Sequence, residues 1–367
     1  MINKLLFKTI LFSFIFINLY ASEKIFIVER EDSSLAVVNN GVVTNHIDGM
    51  HNMNHGVVKF YEDDAYAISR DGYIVKFDPK TEKILNEYKT SKSAIGFVIS
   101  KKFIAVANYD SKSVNILDRD LKPLQVFNTG SKNVGIKLYK NYLIFSQMDN
   151  DKITILKNEN SLDKLPNFKI YKEFENVGTM PFDAMIKDNN YISGFFKGDF
   201  FGVVDLDSMK YSKIKIYLKD RKPILKVPHF GFWSISNKYI FIPAVGDNKI
   251  LVYTPKFKFV KNIETFGLPV FTSLSPDKKF LAVTFSGKNF PIVQIIDTKT
   301  LQVIKKFKFD GKVLHLRWST EKPILYISVN DSSKMVIINR EDWSIKNEIF
   351  NIKKPSGIFI YKEKNRG

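Results

Sequence analysis

The sequence predicts an all-β protein: an eight-bladed β-propeller whose C-terminal strand completes the N-terminal blade. Three observations predict it: a repeat of about 40 to 50 residues, four short strand patterns in most repeats, and little helical periodicity. The repeated phrase is three or four apolar, mostly β-branched residues, usually followed by a polar one. The phrase closes at intervals of 39, 40, 39, 50, 47, 43 and 42 residues, at Asn39, Asp78, Asp118, Lys157, Asp207, Thr254, Asp297 and Asn339.

Each full repeat contains four short runs of alternating apolar and polar residues, separated by turn-forming residues. In the second repeat the runs are Val57–Tyr61, Asp64–Ser69, Tyr73–Phe77 and Lys83–Lys89. Turns at Arg70-Asp71-Gly72 and Asp78-Pro79-Lys80 join the later runs. The same organisation predicts further repeats over residues 96–128, 134–170, 183–216, 230–263, 270–307 and 313–350, with the longest loops at 158–166, 174–181 and 217–228.

The first repeat is short, with runs at Lys24–Arg30, Leu35–Asn39 and Val42–His46. One surplus run, Gly357–Tyr361, stands near the C-terminus. Adding it to the N-terminal three completes a blade and removes free sheet edges, a recurrent hazard of β proteins. The count is then eight blades, or seven if two predicted strands belong to loops. A propeller works at the mouth of its central channel, so its functional residues should be scattered along the sequence.

The first 21 residues are predicted to be a secretory signal peptide, because Lys4 and Lys8 precede an apolar run, Ile10–Leu19, and small residues follow at Ala21 and Ser22. The apolar run is too short to span a bilayer comfortably, although an uncleaved anchor is the alternative. Cleavage after Ala21 or Ser22 leaves residues 22–367 as one propeller domain. We therefore expect a periplasmic protein with no stable membrane anchor after signal cleavage.

The chain contains no cysteine and carries a formal net charge of +18. The missing cysteine excludes disulfides, cysteine-ligated zinc or iron–sulfur sites, a lipid-modified cysteine and covalent c-type haem. The lysines are spread along strands and turns, which fits a basic surface background. The alternative is an electropositive channel that attracts an anionic ligand. Without a dense block of basic residues, nucleic acid is not an expected partner.

Three of the five histidines stand where a loop meets a first strand of a blade: His55, His229 and His315. In propellers the first strand lines the channel, so these side chains could converge although they are distant in sequence. Histidine supplies neutral nitrogen ligands to iron and zinc and titrates near neutrality. A cluster of three indicates metal ligation or acid–base chemistry. The alternative is three separate structural histidines.

Three specific phrases stand in order along the chain: Pro181-Phe182-Asp183-Ala184, Val227-Pro228-His229 and Pro243-Ala244-Val245-Gly246. With further phrases along nearly the whole mature chain, they resemble the NirF family, exported proteins of haem d1 biosynthesis related to the haem d1 propeller of cytochrome cd1 nitrite reductase. Generic propeller phrases contribute little, and the Pro-Phe-Asp-Ala, Pro-His and Pro-Ala-Val-Gly phrases are more specific. In order along the chain, the phrases include Asn52-Met53-Asn54-His55, Ser69-Arg70-Asp71-Gly72, Ala107-Asn108-Tyr109, Pro181-Phe182-Asp183-Ala184, Val227-Pro228-His229, Pro243-Ala244-Val245-Gly246, Gly267-Leu268-Pro269-Val270-Phe271, Val313-Leu314-His315 and Ser356-Gly357-Ile358-Phe359.

The resemblance implies an eight-bladed propeller whose mouth holds haem d1 or dihydro-haem d1 as substrate or ligand. It implies that His55 is the axial iron ligand and the metal site, that His229 lies on the distal face, and that His315 is a further family histidine. We assign His229, His315 and Asp183 as candidate acid–base groups; an Asp in a capping turn is the alternative for Asp183. A flat macrocycle with carboxylates needs apolar walls and cations, for which the candidates are Tyr109, Trp233, Phe271, Arg70, Arg221, Lys226 and Arg317.

The resulting hypothesis is a periplasmic protein that binds a late haem d1 precursor and modifies it or hands it on during maturation of cytochrome cd1 nitrite reductase. Its expected partners are that reductase and other haem d1 biosynthesis proteins, and the family adds an expectation of a homodimer. Whether it is an enzyme is left open. The alternatives are a non-catalytic carrier or chaperone and a generic protein-interaction scaffold. A nitrite reductase lacks support without a CxxCH motif, as does a propeller hydrolase without a carboxylate cluster at the channel.

Overall fold

The computed structural model describes residues 23–216, 233–286 and 291–362. Across these residues 32 strands form eight antiparallel four-stranded sheets, and one 3-10 turn spans Val245–Asp247. No helix in the described ranges is long and apolar enough to cross a bilayer. The predicted signal peptide, residues 1–21, lies outside the described residues. The predicted eight-bladed propeller is confirmed.

Each sheet is one blade, and we name its strands from inner to outer. The strands of blades 2, 3 and 4 follow the chain in that order. They are Val57–Tyr61, Asp64–Ile68, Tyr73–Phe77 and Ile84–Lys89 in blade 2; Ala94–Ile99, Phe103–Asn108, Ser113–Asp118 and Pro123–Asn128 in blade 3; and Asn133–Tyr139, Tyr142–Gln147, Lys152–Asn158 and Phe168–Phe174 in blade 4.

Blades 5 to 8 have the same arrangement. Their strands are Thr179–Lys187, Asn190–Lys197, Phe200–Asp205 and Lys210–Lys215 in blade 5; Ser234–Ile235, Ile240–Ala244, Lys249–Tyr253 and Phe259–Glu264 in blade 6; Pro269–Leu274, Phe280–Phe285, Ile292–Asp297 and Gln302–Lys308 in blade 7; and Val313–Trp318, Ile324–Val329, Lys334–Asn339 and Ile345–Ile349 in blade 8.

Blade 1 closes the ring from both ends of the chain. Its inner strand is Pro355–Tyr361, followed outward by Lys24–Glu29, Ser34–Asn39 and Val42–Ile47. The inner strand pairs antiparallel with Lys24–Glu29, with Ile358 opposite Ile27. The buried carboxylate of Glu23 adds a tie to blade 8, because it accepts a hydrogen bond of 2.7 Å from the Ser319 hydroxyl. The predicted closure by the C-terminal strand is confirmed.

In most blades the polar residue that ends the repeated phrase caps the turn between the third and outer strands. In blade 7, for example, Asp297 Oδ1 accepts hydrogen bonds from the main-chain N–H groups of Lys299 and Thr300 at 2.9 and 2.7 Å. These hydrogen bonds lower the pKa of Asp297. Asn and Asp favour such turns because their side chains satisfy main-chain donors two or three residues on. In blades 4 and 5 the capping residues are Asn158 and Asp205, so the predicted phrase ends at Lys157 and Asp207 are each displaced.

The predicted loop over 174–181 is too long, because the inner strand of blade 5 already begins at Thr179. Pro181 therefore lies within a strand, opposite Phe195. An inner strand has one unpaired edge, where a proline that lacks an N–H costs no ladder hydrogen bond. Pro269 and Pro355 begin the inner strands of blades 7 and 1 for the same reason.

The apolar core of the described residues consists of nine clusters, and eight of them each lie between two adjacent blades. Successive side chains of one strand enter different clusters, because side chains alternate across a sheet. Phe26 packs toward blade 2, for example, whereas Ile25 and Ile27 pack toward blade 8. Within the described ranges, each blade is thus held by burial of both of its faces against the neighbouring blades.

One end of the ring gathers two kinds of connection from every blade: the turn from the second to the third strand, and the entry to the inner strand. We call this end the mouth. The turns of blades 1, 2 and 3 place Arg30, Arg70 and Tyr109 at corresponding positions, one or two residues past the second strand. The inner strands run from the mouth down the channel.

Candidate functional site

The mouth over blades 2 to 4 carries a tyrosine ring between two cations. The Arg70 guanidinium lies 5.1 Å from the centre of the Tyr109 ring, and the Lys132 ammonium lies 5.2 Å from it. Cations at this range are attracted to the electron-rich ring face. The Tyr109 hydroxyl reaches the Met148 sulfur at 3.5 Å. Two residues predicted from the sequence, Arg70 and Tyr109, are therefore brought together.

An apolar wall continues from Tyr109 across blades 3, 4 and 5. Its buried members are Val134, Met148 and Phe196. Partly exposed side chains pack on these three: Ile95, Tyr109, Met180 and Phe182. The rings of Phe182 and Phe196 lie 4.5 Å apart. Because part of this wall stays exposed at the mouth, it offers a surface to a flat apolar ligand.

His55 lies in a tight turn that leads into the inner strand of blade 2. The turn is closed by a hydrogen bond of 2.9 Å from the Gly56 N–H to the Met53 carbonyl. His55 is exposed and has a φ of +64°, in the left-handed region that few non-glycine residues adopt. A strained conformation at a mouth residue is an observation from which a functional hypothesis can start.

Arg30, which the sequence analysis missed, belongs to the same corner of the mouth. Its guanidinium donates a hydrogen bond to the Asn54 side-chain oxygen, next to His55. Burial lowers its pKa. The signal that could have found it is positional: Arg30 follows the second strand of blade 1 as Arg70 follows that of blade 2. The mouth thus holds an arginine on either side of the His55 turn.

His315 lies on the inner strand of blade 8, where its backbone forms a bulge. Its Nδ1 atom accepts a hydrogen bond from the Ile358 N–H at 3.2 Å. Burial, and secondly the charge of Arg317, lowers the pKa of His315 to about 3. The residue keeps partial exposure, although protein atoms crowd its ring. It is thus a neutral imidazole with its proton on Nε2, which has no hydrogen-bond partner among the described residues.

The hydrogen bond at Nδ1 and the lowered pKa limit the roles that the sequence predicts for His315. A nitrogen that carries a proton cannot donate its lone pair to a metal, and Nδ1 is already occupied by Ile358. A pKa of about 3 disfavours proton uptake by His315 near neutrality, and its role as an acid–base group stays a prediction. The geometry therefore favours His315 as a hydrogen-bond donor through Nε2.

Three adjacent inner strands place aromatic groups side by side. The ring centres of Phe271 in blade 7 and His315 in blade 8 are 6.4 Å apart, and those of His315 and Phe359 in blade 1 are 6.0 Å apart. Arg317 lies 5.9 Å from the Phe359 ring and donates a hydrogen bond of 3.1 Å to the Ile358 carbonyl. Phe271, His315 and Arg317, all predicted from the sequence, share this sector.

The His55 turn and His315 lie on opposite sides of the inner strand of blade 1. An added Cβ at Gly357 would lie 3.5 Å from the Gly56 carbonyl oxygen, whereas the next residue, Ile358, donates to His315. One strand therefore separates the two histidines. The third predicted histidine, His229, lies outside the described residues, as do Arg221 and Lys226.

Inside the channel, Asp183 pairs with a lysine. Its Oδ1 atom lies 3.5 Å from the Lys137 ammonium, and it accepts a hydrogen bond of 2.6 Å from the Ala184 N–H. The charges of Lys137 and Asp183 both act on Lys59, which lies on the inner strand of blade 2. Burial first, and then Lys137, lowers the pKa of Lys59 to about 8, and Asp183 opposes the shift. Sequence reasoning found Asp183 and missed both lysines.

The remaining sequence candidates have other surroundings. Trp233 is 7% exposed and packs edge-on against Phe201 between blades 5 and 6, so its contact with a ligand stays a prediction. His46 bonds to the buried Glu29 at 2.8 Å. His51 bonds to Glu87 at 2.9 Å and stacks on a tyrosine. In the described ranges no group of three or more His, Cys, Asp or Glu side chains is arranged to hold a metal ion.

Comparison of the sequence with known proteins finds one family model and two full-length relatives. A family model described as Cytochrome D1 heme domain matches residues 20–364. A curated relative called Protein NirF, from Pseudomonas aeruginosa, is 27% identical over 361 residues, covering 91% of this chain and 90% of the relative. A second Protein NirF, from Stutzerimonas stutzeri, is 27% identical over 358 residues with the same coverage of 91% and 90%.

Solved structures share the fold. Dihydro-heme d1 dehydrogenase NirN, in complex with DHE, superposes with a TM-score of 0.78 at 19% identity, covering 92% of this chain and 74% of that one. AztD from Citrobacter koseri, in its apo form, has a TM-score of 0.67 at 14% identity, covering 93% and 98%. The two full-length relatives support the predicted resemblance to the NirF family. The match of the family model along almost the whole propeller shows that the chain belongs to the cytochrome D1 heme domain family.

Proposed function

We propose that this chain is a periplasmic haem d1 biosynthesis protein. It binds haem d1 or a late precursor such as dihydro-haem d1 at the propeller mouth, and it modifies that ligand or passes it on toward cytochrome cd1 nitrite reductase. The observation that carries the proposal is the mouth: an apolar wall over blades 3 to 5 faces a sector of hydrogen-bond donors and cations over blades 8, 1 and 2. The periplasmic location rests on the signal-peptide pattern of residues 1–21.

The residues at the mouth fit a tetrapyrrole. Its flat ring needs an apolar surface, which Tyr109, Phe182 and Phe196 supply. Its acid groups need cations, which Arg30 and Arg70 at the mouth can supply. Arginine suits this task because its planar fork pairs both oxygens of a carboxylate. When bound, the tetrapyrrole would supply an iron centre that a histidine could ligate.

Two histidines take distinct roles in this proposal. His55 would ligate the iron, because it is exposed at the mouth in the turn that leads into the inner strand of blade 2. His315 donates a hydrogen bond from Nε2 to the ligand, because its Nδ1 is held by the Ile358 N–H. His229 keeps its predicted distal-face role as part of the proposal. Asp183 is paired with Lys137 and contributes negative charge to the channel. In this proposal it does not act by orienting a described histidine.

NirN supports this proposal through its fold and its name, since it is a dihydro-heme d1 dehydrogenase solved with a bound ligand. The two Protein NirF relatives support it by matching along nearly the whole chain. A non-catalytic carrier is the second candidate, and one observation favours it. His315 lies at the mouth yet has a pKa of about 3, so it can hold a ligand but is disfavoured as a proton acceptor near neutrality.

The test is to titrate the purified mature protein with haem d1 and with dihydro-haem d1 and to follow the absorption spectrum. The expected result is saturable binding of at least one form with a shifted iron spectrum. Mass spectrometry of the released ligand then separates the two candidates: a changed mass identifies an enzyme, and an unchanged mass with transfer to apo-reductase identifies a carrier. No spectral change with either form would refute the proposal.

A further inference from the structure

Below the mouth, the channel holds a group of charges in which the function proposed above gives Lys59 no role. Lys59 projects from the inner strand of blade 2, Lys137 from that of blade 4 and Asp183 from that of blade 5. Lys59 donates a hydrogen bond to the Phe97 carbonyl on the inner strand of blade 3. That strand approaches blade 4 beside Lys137, because an added Cβ at Gly96 would lie 3.6 Å from the Ile136 side chain. The three side chains therefore lie near one another on the inner strands of blades 2, 4 and 5, and the charges of Lys137 and Asp183 both act on Lys59.

The protein satisfies this group incompletely. The Lys59 ammonium has three N–H donors, and its hydrogen bond within the described residues goes to the Phe97 carbonyl. Lys137 is matched by Asp183 at 3.5 Å, with side chains only 30% and 27% exposed. One carboxylate thus faces two ammonium groups, leaving a net charge of about +1 in a partly desolvated space when both lysines are protonated.

Other charges on the neighbouring strands are engaged elsewhere. On the second strand of blade 2, the Asp64 carboxylate pairs with Arg119 at 2.7 Å. Tyr66 donates a hydrogen bond of 2.8 Å to the Arg119 carbonyl. Tyr361, on the inner strand of blade 1, packs its ring on Phe60. The imbalance at Lys59 is therefore not offset by its described neighbours.

A partly buried excess cation is costly unless an anion joins it. We propose that Lys59, together with the Lys137–Asp183 pair, forms a binding site for one carboxylate group inside the channel. The carboxylate comes either from an acid side chain of the tetrapyrrole or from a small free carboxylate. The site itself does not depend on the proposed function, whereas the first of these two sources does.

The site predicts opposite effects for its two charges. Lys59→Met removes the main cation with little change in length, so the affinity for a carboxylate should fall about 10- to 100-fold, the value of a hydrogen bond to a charged group. Asp183→Asn removes the competing carboxylate and should raise the affinity several-fold. A role in packing alone would not produce effects of opposite sign. Lys261→Met, on the exposed outer strand of blade 6, is the matched control.

The experiment uses the ligand-free mature protein with [13C]lysine and follows the Lys59 Cε signal by NMR. Lys59→Met assigns this signal by its loss. Acetate, a simple carboxylate, should shift it and raise its apparent pKa from about 8, because a bound anion favours the ammonium form. Acetate binding should weaken as pH rises above that value. Since Lys59→Met lacks this signal, acetate affinity in the variants is compared by calorimetry.

A second arm identifies the source of the carboxylate. If bound haem d1 or dihydro-haem d1 prevents the acetate shift, the tetrapyrrole acid occupies the site; if acetate still binds, the site takes a free carboxylate. No acetate shift in the wild type, or equal acetate affinity in the wild type, Lys59→Met and Asp183→Asn, would overturn the proposal. A protein that binds acetate but no tetrapyrrole keeps this site and refutes only the function proposed above.

Discussion

The Nδ1 atom of His315 accepts a hydrogen bond from the main-chain N–H of Ile358, 3.2 Å away. This contact links the inner strand of blade 8 to the strand that closes the ring. Arg317, two residues along, donates to the carbonyl of the same residue, Ile358. The N–H and the carbonyl of Ile358, which no neighbouring strand binds, are thus satisfied by the side chains of His315 and Arg317. The contact also fixes the proton of the imidazole on Nε2.

The two nitrogens of His315 can be tested separately. In His315→Asn the amide oxygen can replace Nδ1, and in His315→Gln the amide nitrogen can replace Nε2. We expect His315→Asn to keep the free energy of unfolding within about 1 kcal/mol and to weaken tetrapyrrole binding. His315→Gln should lose about 1–3 kcal/mol, because the Ile358 N–H is left unsatisfied, and should bind more tightly than the Asn variant. Urea unfolding and absorption titrations measure both. The reverse order would contradict the assigned tautomer.

The acid stability of the protein should depend on His315. Its folded pKa of about 3 lies below its ordinary value of 6.5, so the unfolded state binds more protons between these pH values. The free energy of unfolding therefore falls as pH decreases from 6.5 toward 3 and is unaffected by this group above 6.5. His315→Asn should flatten that decrease by about 1 kcal/mol or more. Identical pH profiles for wild type and variant would show that His315 is not buried in its neutral form.

Lys59 should have the opposite consequence at high pH. Its folded pKa of about 8 lies below 10.5, so the penalty for burying its charge is complete below pH 8 and disappears as pH rises to 10.5. Lys59→Met should therefore raise the free energy of unfolding by about 1–2 kcal/mol at pH 7 and by almost nothing at pH 10.5. Chemical denaturation at the two pH values measures this difference. A destabilised variant at pH 7 would contradict the burial of an unfavourable charge.

The eight-fold repeat was predictable because its cause is local. A capping residue such as Asp297 or Asn339 satisfies its own turn, so the signal recurs in every blade whatever its neighbours. The closure of the ring was predictable in the same way, because three N-terminal strands and one surplus strand at Gly357–Tyr361 together make one blade. Only boundaries shifted, as at Asp207, where a nearby Asp at 205 makes the cap.

The site was less predictable because its members depend on positions around the ring. Lys59 and Lys137 look like any other lysine in a chain with 56 Lys and Arg residues, and only the channel brings them together. Trp233 shows the converse. A large aromatic residue beside a predicted site suits a ligand wall and a core equally well. Trp233 packs edge-on against Phe201, and its contact with a ligand stays a prediction. The tautomer of His315 depends on a strand 43 residues away in sequence.

Closure by the C-terminal strand predicts the effect of truncation. A chain that ends at Lys354 loses the inner strand of blade 1 and opens the cores toward blades 2 and 8. We expect it to lose cooperative unfolding in calorimetry. The control is a circular permutant that begins at Pro355 and joins Tyr361 to Lys24 through a short turn, since these two residues are paired in the sheet. This permutant should unfold cooperatively, and a truncated chain that matches it would contradict the role of closure.

The aromatic wall predicts a graded effect at Tyr109. Tyr109→Phe keeps the ring between Arg70 and Lys132 and should change the tetrapyrrole dissociation constant less than about 3-fold. Tyr109→Ala removes ring stacking and both cation contacts and should weaken binding about 10-fold or more. Equal affinities for the Ala variant and the wild type would remove Tyr109 from the binding surface.

The most direct measurement is the absorption and electron paramagnetic resonance spectrum of bound haem d1 in His55→Ala and His51→Ala. The two histidines are four residues apart, and His51 is already bonded to Glu87 and stacked on Tyr73, which makes it the matched control. Iron ligation by His55 predicts that His55→Ala alone loses the wild-type iron spectrum and that added imidazole restores it in part. An unchanged spectrum in His55→Ala, or the same change in both variants, would contradict it.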